Sequence, residues 1–381
     1  MNFSISLPVL DLIKEYEALT KARPARQKPA PGLDRAAWQA YAELGLLRLH
    51  EHPALETHDR GLQTMATIFH TLGRAGTDRG LLFALGAHLF GCQLPIHQYS
   101  APSPGCDALL EGLLSGHLIG ALAVTDPQGG SHQGCMKAQA SPQHDHFILS
   151  GRKTLVSNAP EADLFLVIAS TRPEQGSMGW TAFLLQRDMP GLSIETLTPA
   201  GLPGAPMGEV ILDNCIVPKE NILGTREGGL RIFMHAMLRE RVGILAGFLG
   251  AAQRDLDTCI EYVNNRRTPD GPLSSYQTLS HRIAMAKIRL ERAELMIFRA
   301  AWAVDTKQRN MHQIVAMAKY EAGEAVVETA MDIFRITAGA GWLDQLGAAT
   351  ALRDSLGTLF ASGTPEIQLN TIASSLGLKR R

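Results

Sequence analysis

Through the first third of the chain, apolar residues recur every three or four positions. WQAYAELGLLRLHEH (38–52) and LQTMATIFHTLGRAG (62–76) carry this period, that of a helix with one buried face. GTDRGLLFALGAHLFGCQL (76–94) is apolar almost throughout and predicts a buried helix ending before Pro95. The texture then changes. HFILSGRKTLVSN, DLFLVIAST, GWTAFLLQRD and GEVILDNCIVP are short runs rich in β-branched and aromatic residues, separated by Gly, Asn and Pro. Beyond Gly228 long helical patterns return, with few breakers before Gly339 and Gly363. The expectation is an α+β multi-domain chain: helical over 1–116, β over 117–224 and helical over 225–381.

Charge narrows the function. Across 381 residues, 36 Lys and Arg face 37 Asp and Glu, a formal charge of −1. A nucleic-acid binder or a polybasic membrane binder would carry a basic excess, so neither is expected. No run of 18 uninterrupted apolar residues occurs, and no membrane insertion is expected. Charged residues make up 19%, below the usual figure of about 25%, which points to surface hidden between subunits of a homo-oligomer. The five cysteines (Cys92, Cys106, Cys135, Cys215 and Cys259) show no C-x-x-C spacing. Neither a disulfide framework nor a metal site is expected, and a reducing cytoplasm is the predicted compartment. The N-terminal segment reaches an acidic residue at Asp11 without an apolar signal core.

Three segments carry candidate chemistry. ALAVTDPQGGSH (121–132) is a strand end followed by a Gly-rich turn. Its backbone N–H groups, with the Thr125 and Ser131 hydroxyls, suit a phosphate or a flat polar ring, and equally an ordinary loop. GRKTLVSNA (151–159) is a strand ending at Ser157 and Asn158. In the first long C-terminal helix, Phe233, Met237, Glu240, Ile244 and Phe248 are spaced 4, 3, 4 and 4 and share one face. A carboxylate in that apolar wall is a general base with a raised pKa, one member of an ion pair with Arg239 or Arg241, or on a helix rotated so that it reaches solvent.

The helical–β–helical order, AVTDPQGGSH, GRKTLVSNAPEADLFLV, LDNCIVPKENILG and ALRDSLGTLFASGTPEIQ together resemble the acyl-CoA dehydrogenase flavoproteins. The resemblance runs from about Gly80 to the C-terminus and implies a middle domain like a β-barrel or sandwich, with a C-terminal four-helix bundle. It implies FAD, held through Leu122, Val124, Thr125, Ser131, Leu155 and Ser157, with Thr364 and Glu366 as the last flavin contacts. Leu155 stands where the family lays a tryptophan on the flavin, which removes stacking area. The resemblance assigns the adenine and pyrophosphate end to an adjacent subunit, through Arg266, Thr268, Gln277, Arg335 and Gly339. Here Pro269-Asp270 replaces Phe-Gly, and Arg335 replaces a glutamine.

Many members of this family carry the catalytic base directly before the Gly-Thr of the last motif, where this chain has Ser362. A second branch carries it in a Glu-Arg pair on the first C-terminal helix, matched here by Glu240-Arg241. The resemblance thus implies α,β-dehydrogenation of an acyl thioester. Glu240 takes the α-proton, Arg241 orients it, the Ser362 backbone N–H binds the thioester carbonyl, and the β-hydride leaves to flavin N5. The substrate is an acyl-CoA or an acyl-carrier-protein thioester, with an electron-transfer flavoprotein or another acceptor downstream and a tetramer or dimer as the assembly. His132, in place of the usual aspartate, points to a specialised substrate, a prolyl or short acyl carrier-protein thioester among the options. The competing activity on the same fold is a flavin-dependent monooxygenase or N-hydroxylase, which needs no carboxylate base.

Overall fold

The computed structural model describes residues 7–22, 31–52, 61–131 and 136–378, so His132 and Cys135 lie outside the described residues. Helices α1 (Leu7–Ala22), α2 (Arg35–Glu43) and α3 (Gly61–Ala75) come first, with a 3-10 turn at Leu46–Glu51. The Asp34 carboxylate caps α2 by accepting from the Ala37 N–H, and Asp78 caps α4 (Arg79–Gly86) through the Leu81 N–H. The segment expected to stop before Pro95 does not. After α4 the chain widens into a π-helix (Ala87–Gln93) and continues as α5 (Leu94–Tyr99), with Pro95 in its first turn. A proline in a helix interior costs a hydrogen bond and clashes with the turn before it. The loosened π turn ahead of Pro95, and its place at the start of α5, let the run continue. By length and composition the run 79–99 could cross a membrane, yet 94% of its most apolar window is buried inside this protein.

Helix α6 (Pro104–Leu114) leads into one seven-stranded sheet. Its strands are β1 (Gly120–Ala123), β2 (Gln139–Pro142), β3 (His146–Ser157), β4 (Leu164–Ser170), β5 (Trp180–Gln186), β6 (Leu192–Leu197) and β7 (Met207–Pro218). The order is β1-β4-β2-β3-β7-β6, with β5 on β4. β1 lies parallel to β4, Gly120 opposite Leu164 and Ala123 opposite Val167. The long β3–β7 pair shifts register between Lys153 and Val156, and that irregularity holds Leu155 at φ 55°.

The C-terminal part is built on three long helices: α7 (Gly229–Asn265), α8 (Gln277–Asp305) and α9 (Met311–Gly341). α7 lies at backbone distance from its neighbours because of a glycine stripe. A Cβ on Gly243 would stand 2.1 Å from the Phe90 ring, and one on Gly250 1.9 Å from the His70 carbonyl oxygen. α9 breaks its helical geometry at Ala338, where φ is 47° and ψ is −129°. Three short helices follow, α10 (Ala348–Ser355), α11 (Gly357–Phe360) and α12 (Pro365–Ser375). Lys319 of α9 is 2% exposed and donates to the Thr358 carbonyl at 2.6 Å, fixing α11 and the turn after it. The helical–β–helical order expected from the sequence is the order observed.

Candidate active site

One apolar cluster joins the π segment, the sheet and α7, and this is what brings the candidate residues together. Cys92, Val124, Leu166, Trp180, Phe233 and Met237 belong to it, and Leu122 packs against it. On α7 the predicted face holds. Phe233, Met237, Ile244 and Phe248 are buried, and half-buried Glu240 sits among them. A Cβ on Gly91 would stand 2.9 Å from Glu240 Oε2 and 3.5 Å from Leu122 Cβ. The absence of a side chain at Gly91 therefore lets the carboxylate lie against the π-helix and β1.

The other side of the carboxylate is the turn after α11. The Ser362 hydroxyl donates to Glu240 Oε1. Ser362 and Gly363 are both left-handed, at φ 57° and 102°, a conformation that costs a serine energy and recurs at functional sites. Arg241, 8% exposed, donates from Nε to the Ser362 carbonyl at 2.9 Å and so braces the same turn. Burial raises the Glu240 carboxyl above its ordinary pKa, opposed first by the Ser362 hydroxyl and then by the Arg241 charge. Burial lowers the Arg241 guanidinium to about 10, Glu240 pulling the other way. The ion-pair alternative is not what forms, since the Arg241 hydrogen bond goes to Ser362. Sequence reasoning assigned Ser362 only a backbone role, and its hydroxyl proves to touch the carboxylate.

The loop after β1 is fixed by a pair the sequence reading missed. Lys153, fully buried on β3, donates from Nζ to the Val124 carbonyl at 2.8 Å and to Asp126 Oδ1 at 2.6 Å. Asp126 Oδ2 accepts from the Ala138 N–H at 2.9 Å, and the Thr125 carbonyl accepts from the Thr154 N–H at 2.7 Å. Val124 and Thr125 are thereby held beside Leu155, while Ser131 is exposed farther along the loop and Ser157 half-buried at the end of β3. A lysine at an inward position of a strand was the available signal for this pair.

His88 and Asn158 complete the frame under β1. His88 Nδ1 accepts from the Gly120 N–H at 2.9 Å, and Nε2 lies 3.0 Å from Gln93 Oε1 and 3.2 Å from the Leu113 carbonyl oxygen. Burial drops its pKa to about 4, so the ring is neutral. Asn158 donates to the Ala84 carbonyl at 2.9 Å.

The remaining candidates form a second group. Arg266 closes α7, Thr268 lies in the β8–β9 hairpin (Arg267–Thr268 and Gly271–Pro272), and Gln277 opens α8. Thr268 Oγ1 donates to the Gly271 carbonyl at 2.9 Å. Arg282 and Arg289 of α8 both bind Asp332 of α9, at 3.0 and 3.1 Å, which brings the start of α8 to the end of α9 carrying Arg335 and Gly339. Arg266, Gln277, Arg335 and Gly339 are all exposed there. At 1.5 Å per residue, Arg266 lies about 39 Å along α7 from Glu240, beyond the reach of one extended dinucleotide. Thr364 and Glu366 follow Ser362 directly and stay with the first group.

This chemistry fits a bound flavin. Leu155 is 55% exposed at left-handed φ on the β3 irregularity, next to the fixed Val124–Thr125 backbone, and Ala338 is strained beside exposed Arg335. An apolar face near the carboxylate suits the flavin end of one dinucleotide, and the exposed guanidinium groups at the far end suit the phosphate end of another.

Two family models match the sequence, the acyl-CoA dehydrogenase middle domain over residues 121–215 and the acyl-CoA dehydrogenase C-terminal domain over 227–377. The chain belongs to the acyl-CoA dehydrogenase family. It is 37% identical over 377 residues to the L-prolyl-[peptidyl-carrier protein] dehydrogenase of Pseudomonas fluorescens, covering 97% of this chain and 98% of that one. The solved structure described as PigA with FAD and proline superposes with a TM-score of 0.91 at 30% identity, over 99% of this chain and 100% of that one. The prolyl acyl carrier protein oxidase AnaB gives 0.91 at 29%, over 98% and 100%.

Proposed function

We propose that this acyl-CoA dehydrogenase family member desaturates an L-prolyl group held as a thioester on a carrier protein, with Glu240 as the base. The carrying observation is the Glu240 carboxylate, raised in pKa by an apolar wall and contacted by the Ser362 hydroxyl. The prolyl assignment rests on the Pseudomonas fluorescens relative, matched over nearly its whole length. The reaction removes a proton from Cα and a hydride from Cβ and leaves an α,β-unsaturated thioester. FAD, when bound, supplies the hydride acceptor. The chain does the rest. Glu240 takes the Cα proton, Arg241 braces the turn that positions it, and the Ser362 N–H faces the thioester carbonyl. Leu122, Val124, Thr125 and Leu155 wall the flavin, with Ser131, Ser157, Thr364 and Glu366 around it.

The far group (Arg266, Thr268, Gln277, Arg335 and Gly339) serves the dinucleotide end of a neighbouring subunit's FAD, which makes the active form a homo-oligomer, a tetramer or dimer. The domains divide at 116 and 224, in the connections that flank the sheet. Cytoplasmic work suits Cys92, Cys106, Cys215 and Cys259, which are all free thiols.

Anaerobic mixing of the flavoprotein with prolyl-carrier protein, beside a panel of acyl-CoA thioesters, tests this reading. Flavin bleaching with the prolyl substrate is expected, and Glu240→Gln should slow it by roughly 10²–10⁴-fold. Bleaching by an acyl-CoA alone overturns the prolyl assignment, and near-wild-type bleaching by Glu240→Gln overturns the base.

A further inference from the structure

Away from this site, the ligating atoms of His50, Glu51 and His97 all lie within 4.8 Å of one another. His50 and Glu51 end the 3-10 turn Leu46–Glu51, and His97 belongs to α5. The two imidazoles meet edge to face, with centroids 4.5 Å apart and planes at 67°. Both ring nitrogens of His50 are closed off from solvent and have no hydrogen-bond partner among the described residues. That is an expensive state for a buried polar group, which normally finds a partner. His88, equally a buried imidazole, pairs both of its nitrogens instead.

The pattern is explained if the unpartnered nitrogen has a partner of another kind. Two imidazoles and a carboxylate are the donor set of a borderline divalent ion, three protein ligands leaving a fourth position for water. We infer that His50, Glu51 and His97 form a binding site for a divalent transition-metal ion of the zinc type, fastening α5 to the 46–51 turn. His97 and Glu51 are exposed, so the ion has a path in from solvent. Glu51 is paired with Arg48 at 3.2 Å, but Arg48 also pairs with Glu111, so Glu51 can turn to the ion without leaving a lone guanidinium. Metal–ligand distances of about 2.0–2.2 Å in a tetrahedron set ligand atoms roughly 3.4 Å apart, which the two exposed side chains reach by swinging inward about 1 Å.

The site has a structural consequence. Two residues after His97, Tyr99 packs its ring on His235 of α7, with centroids 5.3 Å apart, five residues before Glu240. An ion at His50 and His97 therefore steadies a segment that leans on the helix carrying the base.

The test uses the untagged holoenzyme, stripped with a chelator and titrated with Zn2+ by calorimetry and with Co2+ by visible absorption beyond the flavin bands. One equivalent should bind, with the d–d intensity of a four-coordinate nitrogen–oxygen site. His97→Ala and Glu51→Gln, both at exposed positions, should each weaken binding by roughly tenfold or more while the flavin stays bound. His117→Ala, a surface histidine elsewhere, should leave it unchanged. No stoichiometric binding, or unaltered affinity in His97→Ala, overturns the inference.

Discussion

Replacing Ser362 with alanine deletes the hydroxyl that touches Glu240 Oε1 and leaves the backbone that Arg241 holds. Hydrogen bonds to a charged group are worth roughly 1.5–3 kcal/mol. At about 1.36 kcal/mol per tenfold, losing that bond should cut the ionised population of Glu240 on the acid side by roughly one to two orders of magnitude, raising its carboxyl further. The sign follows from the chemistry. The hydroxyl favours the ionised carboxylate, so its removal favours the protonated form, and the base is ionised only at higher pH. The rate constant for anaerobic flavin reduction at saturating substrate should then begin to fall at a higher pH than in the wild type as the solution is acidified. It should approach the wild-type value on the alkaline plateau, because the carboxylate is still there. Ser362→Gly should shift the limb equally while relieving the left-handed strain at φ 57°, which separates the hydroxyl from the backbone. An acid limb unmoved in both variants, or a loss of the same size at every pH, would refute the role given to the hydroxyl.

Other substitutions probe the surrounding frame. Gly91→Ala puts a methyl group 2.9 Å from Glu240 Oε2 and should slow reduction by roughly tenfold or more with flavin retained, because small displacements of a reacting group are costly; an unchanged rate would show that the carboxylate has room. Lys153→Met leaves buried Asp126 without its cation and should cost about 3–5 kcal/mol in denaturant unfolding, with weaker flavin retention; unfolding at wild-type denaturant concentration would contradict this. His88, neutral with a folded pKa near 4 against 6.5 unfolded, contributes stability present above pH 6.5 and lost as pH falls toward 4, up to about 3 kcal/mol. Melts across that range should therefore steepen less in His88→Gln, and parallel curves would assign the acid lability elsewhere. Arg266→Ala should release FAD more readily at unchanged melting temperature of the apoprotein, and full yellow colour after dilution would remove Arg266 from the cofactor site.

Residues three or four apart on one helix are legible from the sequence alone. The face from Phe233 to Phe248 announces the position of Glu240 because a helix repeats its own geometry. The alternation of helical and β texture marks the layer order for the same reason. What stays hidden is set by distant partners. Lys153 meets Asp126 across 27 positions, and Ser362 meets Glu240 across 122. No local period records either pairing. The passage of the helical run through Pro95 is not legible, because a π turn is an adjustment to packing rather than a sequence preference. Gly91 carries no mark either, since a glycine that admits a carboxylate reads like any other glycine in an apolar helix.

The Ser362–Glu240 contact also bears on how a catalytic group can change its address. By the family resemblance, position 362 is where many members keep their base, and here its side chain touches the α7 carboxylate proposed for that role. The two locations, far apart in the chain, open onto one point in space. A lineage moving the carboxylate from one to the other would need no new pocket and no new approach for the substrate. It would meet one obstacle. A descendant carrying both carboxylates at once would hold two like charges in contact, one of them protonated and unable to act as a base. Passage through a small neutral residue avoids that half-silent dyad, and a serine that donates a hydrogen bond leaves the newcomer better ionised than an alanine would.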